Sequence, residues 1–167
     1  MPATRDELMA RLDALELATR TVDHAPVFTV EEARALRGEI PGGHCKNLFL
    51  KDDKSAIYLI VCLEDAKVDL KAAPSRIGSR RLTFGKPELL MEILGVEPGS
   101  VTPFGLINDT AGRATVILDR AMMEHEWLNY HPLRNDATTT IRAADLLAFI
   151  RATGHEPRIL SVSEPML

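Results

Sequence analysis

The first candidate for chemistry is a lysine next to an asparagine, Lys46 and Asn47, at the head of an apolar run that contains Leu48 and Leu50. Alternate side chains of a strand share a face, so Lys46 falls on the same face as the two leucines. An ammonium group is costly to bury on an apolar face unless a partner neutralises it. The pattern therefore favours a lysine at the mouth of a pocket, where it meets an anion.

Two other clusters carry unusual combinations of residues. The first begins and ends with glycine, and its members are Gly99, Ser100, Val101, Thr102, Pro103, Phe104 and Gly105. The second is His131, Pro132, Leu133, Arg134 and Asn135. Glycines at both ends of the first cluster allow its backbone to come close to a ligand.

Composition limits the classes of protein to consider. A chain of 167 residues fits one domain, residues 1–167, with an ordinary content of 46% hydrophobic and 26% charged residues. No apolar run reaches the length of a membrane span, and residues 1–7 lack the apolar core of a signal peptide. The two cysteines, Cys45 and Cys62, form neither a disulfide framework nor a metal-binding spacing. These features predict a reduced, cytoplasmic protein without a metal or cofactor.

Charge is distributed unevenly along the chain. The formal net charge is −4, which disfavours a general nucleic-acid binder. Residues 46–86 nevertheless contain nine Lys or Arg against five Asp or Glu, a local charge of +4 that leaves −8 for the remainder. The positive part could meet a polyanion locally.

Capping patterns and hydrophobic periodicity predict the elements. The capping box Thr4–Glu7 starts a helix that runs to about Thr19, and a second box at residues 29–32 starts a helix that ends at Gly38. Further helices are predicted near 70–73 and over 88–94 and 143–153, and extended segments over 23–28, 45–50, 56–63, 104–107, 114–118, 127–130, 138–141 and 158–162. Because strands and helices intermingle without strict alternation, the predicted class is α+β, with a mixed, mostly antiparallel sheet and flanking helices.

Five segments taken together resemble a known family. They are residues 26–29, 45–50, 78–82, 99–105 and 131–135, and they occur in the order typical of the YbaK/ProX superfamily, relatives of the bacterial prolyl-tRNA synthetase editing domain. The resemblance extends over roughly Thr19 to Val162 and is greatest to the alanyl-tRNA(Pro) deacylase branch, ProXp-ala. It implies the editing-domain fold.

The resemblance also implies an activity. Members of this branch hydrolyse the ester that joins alanine to the terminal adenosine of proline tRNA, a product of misacylation. A pocket for proline discriminates poorly against a smaller apolar side chain, so a second, hydrolytic site is needed. The family uses water without a metal or covalent nucleophile, and a hydroxyl of the terminal ribose assists.

The same resemblance assigns roles to individual residues. Lys46 corresponds to the active-site lysine that positions the 3′-terminal nucleotide, and His131 to a histidine that positions water or the alanyl amine. The 99–105 segment corresponds to the pocket loop, whose N–H groups could stabilise an oxyanion. Catalytic roles are expected for Lys46, Gly99, Ser100, Thr102, Gly105 and His131, and substrate contacts for Asn47, Val101, Pro103, Phe104 and Phe28.

The implied partners are the acceptor stem of tRNA(Pro) and prolyl-tRNA synthetase, without a membrane or DNA. The candidate tRNA contacts are Lys51, Arg80 and Arg81, because lysine and arginine bind phosphate and arginine also reads guanine edges.

Three alternatives remain open at this point. A cysteinyl-tRNA(Pro) deacylase of the same superfamily would share the site and differ in the amino acid removed. A regulator could bind nucleic acid without turnover. A thiol hydrolase would use Cys45, whose pKa a neighbouring Lys46 could lower, although alternation places the two side chains on opposite faces.

Overall fold

The computed structural model describes residues 1–26, 31, 35 and 40–163. The candidate residue Phe28 lies outside the described residues, as does the predicted helix over residues 29–38 apart from residues 31 and 35. Among the described residues, no helix is long and apolar enough to span a bilayer.

Four α-helices are described: α1 (Arg5–Ala14), α2 (Ala73–Ile77), α3 (Pro87–Leu94) and α4 (Ala143–Ala152). The capping box of α1 is confirmed, since the Thr4 hydroxyl accepts from the Glu7 amide and the Glu7 carboxylate accepts from the Thr4 amide. The helix ends earlier than the predicted Thr19 because Glu16 adopts a positive φ of 58° and a strand begins at Thr19. Gly95 ends α3 in the left-handed conformation, as predicted.

Within the described residues, eight strands form one mixed sheet. They are β1 (Thr19–Asp23), β2 (Gly43–Asp52), β3 (Ile57–Leu63), β4 (Leu82–Phe84), β5 (Ala114–Asp119), β6 (Trp127–Tyr130), β7 (Ala137–Arg142) and β8 (Arg158–Leu160). Their order is β1-β7-β6-β2-β3-β5-β8, and β4 pairs with β2 off this path. The β6–β2, β3–β5 and β5–β8 pairs are parallel and the others antiparallel, which confirms the predicted mixed α+β fold.

Three further segments differ from their predicted secondary structure. The strand predicted over 104–107 is wrong: Pro103–Asn108 is a 3₁₀ helix, begun by the fixed φ of Pro103 and capped by Thr102, which accepts from the Phe104 amide. The helix predicted near 70–73 is found at Ala73–Ile77, with Pro74 in its first turn. The short strand β4 lies where sequence reasoning expected a loop followed by a helix.

The sheet has two buried faces with separate apolar clusters. The larger cluster, on the face called the inner face, contains Phe49, Phe104 and Phe149 together with the buried side of α1 and α3. The smaller one, on the outer face, contains Leu50, Ile60 and the buried residues of α2. Because β2 and β3 alternate between the two clusters, each of their residues can be assigned to a face.

Candidate functional site

A gap along one edge of β2 is the feature around which the candidate residues gather. On this edge the parallel pairing with β6 ends at His44, and the antiparallel pairing with β4 begins at Leu50. No described strand pairs with the edge between these points, residues 45–49, whereas the opposite edge pairs continuously with β3. We call this unpaired stretch the β2 gap.

Asn47 presents its polar groups at the β2 gap. In an antiparallel pair, alternate residues turn both backbone groups towards the partner strand. The Glu64 amide donates to His44 and the Asp52 amide to Ala56, so even-numbered residues of β2 face β3. The N–H and C=O of Asn47 therefore face the gap. Its side-chain Oδ1 is also buried, without a hydrogen-bond partner among the described residues.

Lys46 lies on the outer face at the same level of the strand. It is half-buried and pairs across the sheet with Cys62, and its Nζ donates to the carbonyl of Ala66 at 2.5 Å. Leu48 and Leu50 follow it on this face, as the sequence pattern predicted. The ammonium is thus held by a backbone carbonyl just beyond the end of β3, the strand that pairs with the edge of β2 opposite the gap.

His131 directly follows β6, the strand on the other side of the gap. Since His44 pairs with Asn129, the parallel register extended by two residues brings His131 level with Lys46. Its Nδ1 lies 3.0 Å from the Ala137 carbonyl, which can only accept, so this nitrogen carries the proton. Burial lowers the pKa of His131, an effect that the bond to Ala137 partly opposes. A neutral ring whose Nε2 is an acceptor results.

Sequence reasoning missed a second histidine at this place. The rings of His24 and His131 are 6.4 Å apart, and Nε2 of His24 lies 2.8 Å from the Thr138 hydroxyl. Their positions are 107 residues apart in the chain, and the register that joins β1, β7 and β6 brings them together. No local pattern in the sequence could have signalled this pairing.

The 99–105 segment meets the 131–135 loop. A Cβ placed on Gly99 would lie 3.4 Å from Nδ2 of Asn135. Ser100, Arg134 and Asn135 line a cavity of about 340 Å³. The structure therefore joins two of the three sequence clusters directly.

The rest of the 99–105 segment supports the fold from the inner face. Thr102 and Phe104 are fully buried, and the Phe104 ring packs edge-on against Tyr130 and Phe149 at 6.0 and 5.3 Å. Gly105 leaves no space for a side chain, because a Cβ would lie 3.0 Å from both Cβ and O of Leu94. Pro103 is buried and Val101 half-buried against the same cluster.

Lys46 and the 99–105 segment lie on different faces of the sheet. Lys46 points outward, whereas Val101 and Phe104 pack on the inner face with Phe49. Asn47, the residue of β2 that follows Lys46, turns its backbone into the β2 gap between these two faces.

Cys45 is unsuited to nucleophilic chemistry. Burial raises the pKa of its thiol to about 12, against a weaker opposing effect of hydrogen bonds from Tyr130 and the Asn129 backbone. The thiolate, the form that attacks carbonyls, is therefore scarce at neutral pH. Among the described residues, no group of three or more His, Cys, Asp or Glu could hold a metal ion.

The candidate tRNA contacts lie beyond the other end of the gap. Lys51 pairs with Thr83 of β4, and Arg80 and Arg81 precede that strand and are exposed. We call Lys51, Arg80 and Arg81 together the basic segment. Asp52 of β2 accepts a hydrogen bond from the Arg80 amide at 3.3 Å, and this bond fixes the segment to β2. Burial acts to raise the pKa of Asp52, but the amides of Ala56, Arg80 and Lys54 outweigh it and hold that pKa below its ordinary value.

Comparison with known proteins gives a consistent result. The aminoacyl-tRNA editing domain model matches residues 24–149. A mouse protein, prolyl-tRNA synthetase associated domain-containing protein 1, is 40% identical over 162 residues, covering 94% of this chain and 95% of its own length. The prolyl-tRNA editing protein ProX of Acetoanaerobium sticklandii is 34% identical over 152 residues, covering 90% and 93% of the two chains.

A solved structure supports the fold. A protein named as a candidate trans-editing enzyme for prolyl-tRNA synthetase superposes with a TM-score of 0.70 at 20% identity, over 96% of this chain and 99% of that one. The match to the family model spans about three-quarters of the chain, and two relatives above 30% identity cover nearly all of it. The chain belongs to the aminoacyl-tRNA editing domain family and is an aminoacyl-tRNA deacylase.

Proposed function

We propose that this protein acts in trans to remove alanine from mischarged alanyl-tRNA(Pro), with water as the nucleophile. The observation that carries the proposal is the β2 gap, where Asn47 turns its backbone to an edge without a described strand partner and the parallel register brings His131 level with Lys46. Together these residues offer an ammonium, a neutral imidazole acceptor and backbone amide groups, which match the phosphate, amine and ester of an aminoacyl 3′ end.

The geometry suggests a division of labour for the hydrolysis. Lys46 holds the terminal nucleotide, and His131 offers Nε2 to the alanyl ammonium or to the attacking water. Water adds to the ester carbonyl carbon, and the backbone N–H of Asn47 or of Gly99 donates to the resulting oxyanion. The bond to the ribose oxygen then breaks, which releases alanine and regenerates the terminal hydroxyl.

Proton transfer need not involve a protein side chain. Burial lowers the pKa of His131, which weakens the ring as a general base, and the bond from Nδ1 to Ala137 orients Nε2 for positioning water or the amine. As the family resemblance implies, a neighbouring hydroxyl of the terminal ribose can relay the proton between water and the leaving oxygen. Ser100 and Thr102 lack an adjacent base that would activate them, and Thr102 is fully buried.

The partner of the basic segment is proposed to be the acceptor stem of tRNA(Pro). Lys51, Arg80 and Arg81 lie past the end of the gap opposite β6, where the helical stem would continue from the 3′ end. A contact with prolyl-tRNA synthetase in the cytoplasm would deliver the mischarged product. A fission yeast relative supports this choice of partner, because it is named as a candidate proline–tRNA ligase and matches this chain over 108 residues at 25% identity.

A parallel deacylation assay tests the choice of amino acid. Alanyl-, cysteinyl- and prolyl-tRNA(Pro) are incubated separately with the protein, and the loss of each ester is followed against a reaction without enzyme. We expect alanyl-tRNA(Pro) to be hydrolysed fastest and prolyl-tRNA(Pro) to persist. Faster loss of cysteinyl-tRNA(Pro) would assign the protein to the cysteine branch, and loss of none of them would refute the proposal.

A further inference from the structure

An exposed aromatic side chain stands at the end of the β2 gap that β4 closes. Phe84 is 61% exposed, and the other large hydrophobic side chains exposed among the described residues, Met1 and Met91, are not aromatic. Phe84 is the last residue of the three-residue strand β4, where it pairs with Leu50 of β2. A single exposed ring does not by itself indicate a partner, but a ring that lies beside several cations presents the two kinds of group that bind a nucleotide.

The backbone holds this ring in place. The Gly85 amide donates to the Phe49 carbonyl at 2.9 Å. A Cβ on Gly85 would lie only 2.4 Å from Cε2 of Phe49, so the chain packs here as closely as glycine allows. Residue 85 is therefore fixed on β2, and Phe84 stays on the outer face that it shares with Leu50 and Lys46.

The segment that carries Phe84 is basic, although Glu88 and Glu92 lie with Lys86 and Lys51 around one surface depression on one side of it. Residues 74–87 contain four cations, Arg76, Arg80, Arg81 and Lys86, and no acidic residue. Arg81 and Lys86 are exposed, and neither side chain has a hydrogen bond or ion pair with a described residue. An exposed aromatic face close in the chain to cations that have no described partner matches a ligand with flat bases and phosphates. An apolar protein partner would bury the ring but would offer no negative charge to the neighbouring cations.

The spacing to Lys46 fits a short single strand. Four residues along β2 and one step across to β4 separate Lys46 from Phe84, roughly 14 Å between their Cα atoms. Resting on the proposed function, we propose that Phe84 stacks against an unpaired nucleobase of the tRNA 3′ strand while Lys46 holds the terminal nucleotide. Arg81 and Lys86 would then contact the phosphates on either side of that base.

The proposal is tested with Phe84→Ala and Phe84→Tyr, with Met91→Ala as the control because Met91 is also exposed, at 41%. Loss of one stacked base weakens binding by about tenfold. We therefore expect Phe84→Ala to raise the KM for alanyl-tRNA(Pro) about tenfold with kcat nearly unchanged. Phe84→Tyr retains the ring and should resemble the wild type, as should Met91→Ala.

A binding measurement separates this inference from the proposed function. Uncharged tRNA(Pro) carrying 2-aminopurine at one unpaired acceptor position at a time needs no hydrolysis to report stacking. At saturating protein we expect one position to lose fluorescence with the wild type and Phe84→Tyr, but not with Phe84→Ala. Equal quenching by all variants would overturn the inference, even if the wild type deacylates alanyl-tRNA(Pro). A change of sedimentation for Phe84→Ala without a change in KM would also overturn it, because Phe84 would then contact a second copy.

Discussion

At the scale of single residues, adjacent positions in β2 perform different tasks. Lys46 turns its ammonium to the outer face, while Asn47 turns its backbone into the gap. Strand alternation alone makes this possible, since neighbours on one strand reach opposite sides of a sheet. The site can therefore hold charge on one side and bare amide groups on the other.

Replacing Lys46 with alanine should lower deacylation without unfolding the protein. We expect kcat/KM for alanyl-tRNA(Pro) to fall on the order of 100-fold, because the terminal nucleotide loses its positioning contact. The bond to Ala66 is also lost, at a cost to stability of about 1 kcal/mol. Single-turnover rates and urea unfolding measure the two effects, and Lys54→Ala, an exposed turn lysine, is the control. Turnover unchanged at saturating substrate would contradict the role of Lys46.

His131 should make the folded protein less stable in mild acid. Its folded pKa lies below the unfolded value of roughly 6.5, so the unfolded chain binds the proton more readily below that pH. The stability is complete above pH 6.5 and is lost as the pH falls through the folded pKa. Urea unfolding at about pH 7.5 and 5.5 should show a smaller loss for His131→Gln than for the wild type or His125→Gln. Identical losses in all three would show that His131 is not buried in its neutral form.

At the scale of elements, the 99–105 segment divides into two parts. Its first turn, with Gly99 and Ser100, faces the 131–135 loop, whereas Thr102 to Gly105 pack into the inner core. The two glycines thus serve different needs, although they bracket one short motif. Gly99 leaves a surface accessible, and Gly105 lets the 3₁₀ helix approach α3.

Alanine substitutions at the two glycines should separate these roles. Gly105→Ala forces a Cβ against the backbone of Leu94 and should lower the free energy of unfolding by about 1–3 kcal/mol. At Gly99 an added Cβ meets only an ordinary contact at 3.4 Å, so stability should stay near that of the wild type. Urea denaturation midpoints compare the two variants. A Gly105→Ala protein as stable as the wild type would mean that α3 can move away.

Elements whose signals lie within a few neighbouring residues could be predicted from the sequence. The capping box at Thr4, the glycine cap at Gly95 and the apolar run of β3 each appear where they were expected. The 3₁₀ helix after Thr102 was missed because its apolar residues resemble a buried strand, and hydrophobicity does not report the proline and cap that bend the chain.

The site itself depends on pairings that no local pattern encodes. The β2 gap exists because β6 and β4 pair with the same edge of β2 at its two ends. The sequence drew attention to Lys46 and His131 through residue type and family resemblance. It could not show that they lie on the same face, or that Asn47 faces an unpaired edge.

At the scale of the whole molecule, charge selects where a polyanion can approach. Residues 46–86 carry +4 within a chain of −4, so the rest of the surface repels phosphate. The exposed arginines Arg80 and Arg81 directly precede β4, at the end of the β2 gap that β4 closes. On the proposed function, this distribution of charge would let an acidic protein bind tRNA in one orientation, with the 3′ end at the β2 gap.

This orientation predicts a definite dependence of tRNA binding on salt. Each phosphate contact releases close to one counterion, so log Kd against log salt concentration should lose about one unit of slope in Arg80→Ala and again in Arg81→Ala. Arg151→Ala is the matched control, since Arg151 is an arginine of α4 that pairs with Glu156 and lies outside residues 46–86. The slopes come from titrations of uncharged tRNA(Pro) at several salt concentrations. If the slope changed as much in Arg151→Ala as in the other two variants, the attraction would belong to the whole surface, and the basic segment would not orient the tRNA.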